Sequence, residues 1–188
     1  MHRFFALSFF CFALALSAVG AAQESASGHL RLKDRLDRPH DGYCLDIPGV
    51  GRDMQLQAPI FAHNCKSGLT PDSAMRLRSD NKLEFAAVSQ CITAAGINGK
   101  ALPGSAIILR PCGYRVAFFD AGPLQTFSFK SNGRLVLSGT NLCLAVGAQS
   151  DVTYSPTDRW RVLSVEDCEQ TPARYIQWEF NTGPFPSR

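Results

Sequence analysis

The sequence predicts an all-β domain made of three similar units, each closed by one disulfide. Six cysteines fall into three pairs separated by 21, 21 and 25 residues. Successive pairs begin 47 and 52 residues apart, a period typical of repeat architectures. Short apolar segments bounded by Gly, Pro, Asn and Asp, with no long amphipathic helix, indicate a sandwich or barrel of short strands.

The repetition favours pairing each cysteine with its nearest neighbour: Cys44/Cys65, Cys91/Cys112 and Cys143/Cys168. Six cysteines formally allow many connectivities, so this pairing is inferred from the repeat. None of the six lies in a CxxC spacing, and an even number in an exported chain favours disulfides over metal ligands. We therefore expect no metal and no cofactor.

The N-terminus has the pattern of a secretory signal peptide, predicted to span residues 1–22. His2 and Arg3 precede an apolar run, which ends in small residues at Ala22. The run is short for a membrane span and no second span follows, so an uncleaved anchor is the less favoured alternative. Cys11 lies in the predicted signal peptide and is expected to be removed with it. The mature chain is expected to have no membrane span and to be secreted or periplasmic.

The remaining chain divides into a linker or N-terminal segment (23–36), a domain (37–181) and an irregular tail (182–188). Within the domain, each unit opens with Cys and an aliphatic residue: Cys44-Leu45-Asp46, Cys91-Ile92-Thr93 and Cys143-Leu144-Ala145. A strand ending in the partner Cys is expected to follow, and then a further strand. Units of about four strands cannot bury their apolar faces alone, so we expect packing around a pseudo-threefold axis.

These motifs resemble the ricin B-type lectin family, whose repeats carry Cys-Leu-Asp, a strand ending in Cys, and then Gln-x-Trp before a turn. The markers are Cys44-Leu45-Asp46, the pair Gln125-x-Phe127 with the turn Ser131-Asn132-Gly133, Asp80-Asn81 at the matching turn of the first unit, and Trp178-Glu179-Phe180. The resemblance covers about residues 37–181 and implies a β-trefoil. It also implies that the rings of Phe127 and Trp178 fill the core while Gln125 bonds backbone.

In that family the Asp of Cys-Leu-Asp accepts hydrogen bonds from two sugar hydroxyls, and an aromatic ring supports the apolar face of the sugar. Only the first unit keeps the Asp, so the resemblance implies at most one site. His63 stands where the family has its aromatic, and Phe61 replaces a strand Gln. The candidate carbohydrate-binding residues are Asp46, Phe61, His63 and Asn64. The family's Asn maps near Asp72 or Ser73.

Two functions remain open. The first is a secreted lectin-like protein that binds a glycan or glycoconjugate. The alternative is a β-trefoil that has lost sugar binding and acts as a protein-binding subunit, adapter or inhibitor, for which the apolar segment from Tyr114 to Phe119 offers a surface.

Composition and motifs argue against other classes. Basic residues are scattered, and the formal net charge is only +3 for the full chain, which predicts no nucleic-acid partner. No HExxH, GxSxG or Gly-rich phosphate loop is present, so we predict that the protein is not an enzyme.

Overall fold

The structure is a computed structural model that describes residues 26–153 and 155–183. The predicted signal peptide, the first three residues of the predicted linker and the last five residues of the predicted tail lie outside these ranges. Within the described ranges, no helix has both the length and the apolar character that a membrane crossing requires.

The described residues form three units of strands, as the sequence predicts. The first unit has β1 (His29–Leu32), β2 (Tyr43–Asp46), β3 (Phe61–Asn64) and β4 (Met75–Leu77). The second has β5 (Leu83–Phe85), β6 (Gln90–Ala94), β7 (Ser105–Pro111) and β10 (Phe127–Phe129), with the hairpin β8 (Arg115–Val116) and β9 (Phe119–Asp120) and the helix α1 (Gly122–Gln125) inserted before β10. The third has β11 (Leu135–Leu137), β12 (Leu142–Val146), β14 (Arg159–Asp167) and β15 (Trp178–Asn181), with β13 (Asp151–Val152) before β14. Two 3-10 turns lie at Gly51–Asp53 and Ala173–Tyr175.

The strand pairing repeats three times and confirms the β-trefoil. In each unit the first three strands pair antiparallel in order. The fourth strand pairs with the first strand of the next unit, as β4 with β5, β10 with β11, and β15 with β1. Strand β14 also pairs with both β3 and β7, which joins the units side by side. The strands of residues 26–153 and 155–183 therefore form a closed arrangement.

The barrel begins before residue 37, the predicted start of the domain. Strand β1 lies inside the predicted linker and pairs with β15 over four residues. His29, Leu30 and Leu32 are buried, while Arg31 is half-buried and bonds Glu179. At Gly28, just before β1, a Cβ would lie 2.5 Å from the carbonyl oxygen of Asn181, so only glycine fits there. Because charged residues such as Arg31 and Lys33 lie in and next to β1, the sequence of this segment resembles a surface linker.

The centre of the core is formed by the first residue of the fourth strand in each unit, that is, of β4, β10 and β15. Met75, Phe127 and Trp178 occupy these equivalent positions and are fully buried. The Trp178 indole donates a hydrogen bond to the Leu144 carbonyl oxygen at 2.9 Å, which satisfies its only polar atom. The prediction that the two aromatic rings fill the core is confirmed, and the first unit uses methionine in the same place.

The three predicted disulfides are confirmed. They join Cys44 to Cys65, Cys91 to Cys112 and Cys143 to Cys168, with Cα atoms 4.9, 4.9 and 5.1 Å apart. Each links the second strand of a unit to the residue that follows its third strand. In the chain-entropy account, closing a loop of this size stabilises the folded state by roughly 3 kcal/mol. Each crosslink therefore restrains its own unit, and the contacts between units are noncovalent.

The second cysteine of each pair does not end a strand, which corrects the expectation from the sequence. The third strands end one residue earlier, at Asn64, Pro111 and Asp167, so that Cys65, Cys112 and Cys168 lie just outside them.

In the first two units the ladder stops where the opposite strand leaves the extended conformation. By the register, Cys112 faces Ser89 and Cys65 faces Gly42, and both of these residues have a positive φ that breaks the extended backbone. Cys168 faces Asn141, which precedes β12, and one backbone hydrogen bond of 2.9 Å joins the two. Cys168 is buried and Cys112 is half-buried. Each of these two disulfides therefore lies at the end of a strand pair and is at least partly shielded from water.

Candidate functional site

Three of the four predicted carbohydrate-binding residues lie together on one face of the first unit. Asp46 ends β2, and the β2/β3 register pairs Asp46 with Phe61 and Cys44 with His63. Directly paired residues of antiparallel strands project to the same face. Asp46, Phe61 and His63 therefore share that face.

Asn64 projects to the opposite face and does not join the other three. Its Oδ1 accepts a hydrogen bond from the backbone nitrogen of Arg159 at 3.2 Å, and its Nδ2 lies 3.4 Å from Oδ1 of Asp158. The side chain is buried. Asn64 thus links β3 to the start of β14 through hydrogen bonds, which is a structural role.

Asp46 lies in a buried charged cluster that includes a lysine absent from the predicted set. The residue is only 3% exposed, and Nζ of Lys66 lies 2.8 Å from its Oδ2. Lys66 also bonds Oδ2 of Asp72, which is buried beside it. The ammonium group therefore bridges two carboxylates. Asp72 is one of the two residues to which the family's Asn was mapped.

The charged groups in this cluster shift one another's pKa values. Burial raises the pKa of Asp46 to about 7, although the nearby Lys66 ammonium opposes the shift. For Asp72, burial would raise the pKa, but the hydrogen bonds from Lys66 and Thr70 and the charge of Lys66 together outweigh it, and the pKa is lowered. Burial alone would lower the pKa of Lys66, but the two carboxylates raise it. Near neutral pH, Asp46 is therefore the group of this cluster that changes its charge.

His63 lies beside this cluster as a neutral ring. Its Nδ1 is 3.6 Å from Oδ2 of Asp46, too long for a hydrogen bond. Burial is the main reason that the pKa of His63 is lowered, so this contact is not an ion pair at neutral pH. Nδ1 of His63 and Oδ1 of Asp46 are both buried and have no hydrogen-bond partner among the described residues. Buried polar atoms are normally paired, so both atoms are unsatisfied hydrogen-bonding groups, and the protein encloses them in this structure.

An aromatic surface lies next to the cluster. The ring of Phe61 makes edge contacts with His63, at a centroid distance of 5.6 Å, and with Trp160, at 6.1 Å. Trp160 pairs with His63 across β3 and β14, so it belongs to the same face. Sequence reasoning missed Trp160 because it lies in the third unit, and only the strand register brings it to the first.

The equivalent positions of the other two units have no carboxylate. In the second unit, Thr93 is buried and accepts a hydrogen bond from Nε2 of Gln125 at 3.0 Å. Gln125 also bonds the backbone at Pro111 and Gly113, as predicted. In the third unit, Ala145 packs in an apolar cluster with Ile176 and the disulfide.

The site contains no metal-binding arrangement. Among residues 26–153 and 155–183, no group of three or more His, Cys, Asp or Glu side chains is close enough to hold a metal ion.

Comparison with known proteins identifies a family for most of the chain. A family model described as the ricin-type beta-trefoil lectin domain matches residues 34–160. A search of curated protein sequences found no match.

Three solved structures share the fold. An agglutinin from Abrus precatorius has a TM-score of 0.59 at 20% identity, over 88% of this chain and 52% of the agglutinin chain. The present chain thus spans about half the length of that protein. The mdaA-1 domain has a TM-score of 0.58 at 15% identity, over 83% and 89% of the two chains. The beta-trefoil lectin of the Vibrio vulnificus hemolysin/cytolysin, solved with N-acetyl-D-lactosamine bound, has a TM-score of 0.53 at 14% identity, over 87% and 97%.

Proposed function

Since the chain belongs to the ricin-type beta-trefoil lectin domain family, we propose that it binds a glycan or glycoconjugate through one site in its first unit. The site consists of Asp46, His63 and Lys66, with Phe61 and Trp160 beside them. The observation that carries the proposal is the pair of buried, unpartnered polar atoms on Asp46 and His63. The proposal includes export of the protein, which its three disulfides support.

The chemistry of these groups suits sugar hydroxyls. An ionised carboxylate accepts strong hydrogen bonds, and Asp46 has one oxygen unpaired and one bonded to Lys66. The Lys66 side chain is partly exposed, so on binding it turns outward and donates to a hydroxyl while Asp46 accepts from the same sugar. The aromatic rings cover the C–H face of the sugar. A monosaccharide buries little area, so a single site is weak.

Only the first unit has a carboxylate at the position of the proposed site. The residue that matches Asp46 is Thr93 in the second unit and Ala145 in the third, and neither supplies a charged acceptor. Strong attachment to a surface would then require several copies of the domain.

The proposal assigns no catalytic step. The described residues do contain a hydroxyl close to an imidazole, since Nε2 of His29 lies 3.2 Å from Oγ of Ser73. Both side chains are buried, and Oγ of Ser73 also bonds Thr70. The Ser73 hydroxyl is thus engaged by two neighbouring side chains, so we assign the pair a structural role.

The test is a glycan array with the mature protein, run beside Asp46→Asn and the matched control Thr93→Val. Asp46→Asn keeps the side-chain shape but removes the charge, so we expect affinity for the selected glycan to fall by about 100-fold, the cost of losing a charged hydrogen bond. Thr93→Val changes the equivalent residue of the second unit and should bind as the wild type does. Circular dichroism checks the folding of each variant. Equal binding by Asp46→Asn, or a blank array for the oxidised wild type, would contradict the proposal.

One observation favours the second candidate function, binding to a protein. The hairpin of β8 and β9 carries Phe118 at its turn, with a side chain that is 97% exposed, and Val116 is also exposed. Exposed aromatic groups of this kind mark contact surfaces. If the array is blank, capture of a stoichiometric partner that Phe118→Ser abolishes would support this function, and failure to recover one would reject it.

A further inference from the structure

An open apolar cavity of about 630 Å³ lies next to the proposed sugar site. Its wall includes Phe61, Trp160, Val162, Val152 and the turn residues Pro48 and Gly49. A cavity of this volume is in the range of small-molecule sites, which are roughly 300–1,000 Å³. It is therefore large enough for a ligand group of one or two rings.

The cavity is continuous with the Asp46 site through Phe61. The register pairs Asp46 with Phe61, and Phe61 with Val162, so the three side chains form one row across β2, β3 and β14. Neighbouring strands are about 4.8 Å apart, so the polar and apolar ends of the row are about 10 Å apart. The turn that lines the cavity begins at Pro48, two residues after Asp46 in the chain. A single amphipathic ligand can therefore reach both ends.

The apolar end is partly exposed to water. Val162 is 54% exposed, Val152 is also exposed, and the Phe61 and Trp160 rings are half-buried. The two rings are 77° apart and form a corner, against which an aromatic group can stack on one ring and make an edge contact with the other. Burying these surfaces under an apolar group is favourable by about 25 cal/mol per Å².

The shape favours a small group over a protein partner. A stable protein interface buries about 800 Å² on each side, usually on a broad surface. Here the apolar residues line a concavity, and Phe61 in its wall is paired with Asp46 of the charged cluster. The ligand that matches is one with a polar, hydroxylated end and an apolar end.

We propose that this cavity binds the apolar aglycone of a glycoside, with an aromatic aglycone preferred, while the sugar ring lies at Asp46. This inference rests on the proposed function, because the sugar positions the aglycone. The protein would then distinguish glycosides by the group attached to the sugar as well as by the sugar itself.

The test compares matched phenyl and methyl glycosides of D-galactose, D-glucose and N-acetyl-D-glucosamine. For any sugar that binds, the phenyl glycoside should bind about tenfold more tightly, as expected from burial of a phenyl ring. Val162→Asp should remove this preference and leave methyl glycoside affinity within about twofold, since the exposed position tolerates a charge. Val116→Asp is the matched control, because Val116 is 49% exposed and lies outside the cavity. It should keep the wild-type preference.

A second measurement tests the cavity without a sugar. In NMR spectra of the protein with 2-naphthol alone, the indole N–H signal of Trp160 should shift, whereas that of the fully buried Trp178 should not. Methyl glycoside binding with a phenyl-to-methyl ratio near one would overturn the inference and leave the sugar site standing. If no glycoside binds but 2-naphthol shifts Trp160, the proposed function and the aglycone assignment both fail, and the cavity alone stands. If the Trp160 signal does not move with either probe, the inference is overturned.

Discussion

The first and third units place opposite chemistry at the same point of the fold. In the first unit the second strand brings Asp46 against Lys66, and the resulting charges are buried. In the third unit the equivalent residue is Ala145, packed against Ile176 in an apolar cluster. Burying charges costs several kcal/mol before their attraction repays it, so the apolar arrangement is the simpler way to complete a unit. The charged arrangement is therefore not required by the fold, which agrees with a binding role.

The second unit shows an intermediate arrangement. Thr93 and Gln125 fill its equivalent position with neutral groups that bond each other and the backbone. These hydrogen bonds are complete within the protein, whereas the first unit leaves oxygen Oδ1 of Asp46 unpaired. Incomplete pairing, more than polarity, is what separates the candidate site from its two counterparts.

The largest effect is expected in the third unit. Ile176→Ala removes three carbon atoms from a fully buried cluster, so the free energy of unfolding should fall by about 3 kcal/mol. Denaturant unfolding measures the change. The matched control is Ser73→Ala, at the same position before the fourth strand of the first unit, which should cost about 1 kcal/mol for its hydrogen bonds. A loss below that of Ser73→Ala would show that the third unit does not depend on apolar packing.

The next effect concerns the charged cluster. Lys66→Met leaves two buried carboxylates without their cation, and the free energy of unfolding should fall by about 2 kcal/mol, less than for a fully enclosed pair because Lys66 is partly exposed. Lys82→Met is the control, since Lys82 pairs with the exposed Asp80 and should cost under about 1 kcal/mol. Equal losses in urea unfolding would mean that the cluster behaves as a surface pair.

Binding should depend on pH through Asp46. Because burial raises the pKa of Asp46 to about 7, the carboxylate gains a proton as the pH falls through 7 and accepts hydroxyl hydrogen bonds less well. Affinity for a glycan should therefore drop about tenfold from pH 8 to pH 6. The pKa shifts of Lys66 and Asp72 keep both charged, and that of His63 keeps it neutral over most of this window.

Calorimetric titration at several pH values measures this effect, with Asp46→Asn as the control. That variant should bind weakly and with a flat pH profile. An affinity for wild type that is constant from pH 8 to pH 6 would exclude Asp46 as the acceptor.

The smallest effect is expected in the second unit. Thr93→Val removes the hydroxyl that bonds Gln125, at a cost of about 1 kcal/mol to the free energy of unfolding. Gln125 keeps its two backbone bonds, which limits the loss. Thermal unfolding is the measurement, and a loss above about 2 kcal/mol would show that the neutral arrangement is more critical than the charged one.

The sequence alone could predict what repeats along the chain. The cysteine spacing predicted the three disulfides, and the aromatic residues Phe127 and Trp178 could be placed in the core from their motifs. The strands before Cys65, Cys112 and Cys168 were each extended by one residue, because the end of a ladder also depends on the opposite strand. Strand β1 was missed because its four residues, His29 to Leu32, are too few to distinguish a strand from a surface segment.

The candidate site depends on contacts that no local pattern contains. Trp160 reaches His63 through the pairing of β14 with β3, and the two strands are nearly 100 residues apart. Lys66 follows a cysteine that the sequence did identify, but its bridge to Asp46 and Asp72 depends on how the loop folds. Asn64 could have been excluded, since adjacent residues of a strand face opposite sides and His63 already shared the face of Asp46.

The pairing of β1 with β15 also determines how the domain responds to mechanical load. His29 lies opposite Asn181, so both ends of the described barrel leave at the same end of an antiparallel pair. A pulling force on the two ends would break the backbone hydrogen bonds of that pair one at a time, from the outside inward. The disulfides would then limit the extension, because the loops between Cys44 and Cys65 and between the other two pairs cannot lengthen. A domain tethered at both ends would open early but stretch only part of its chain length.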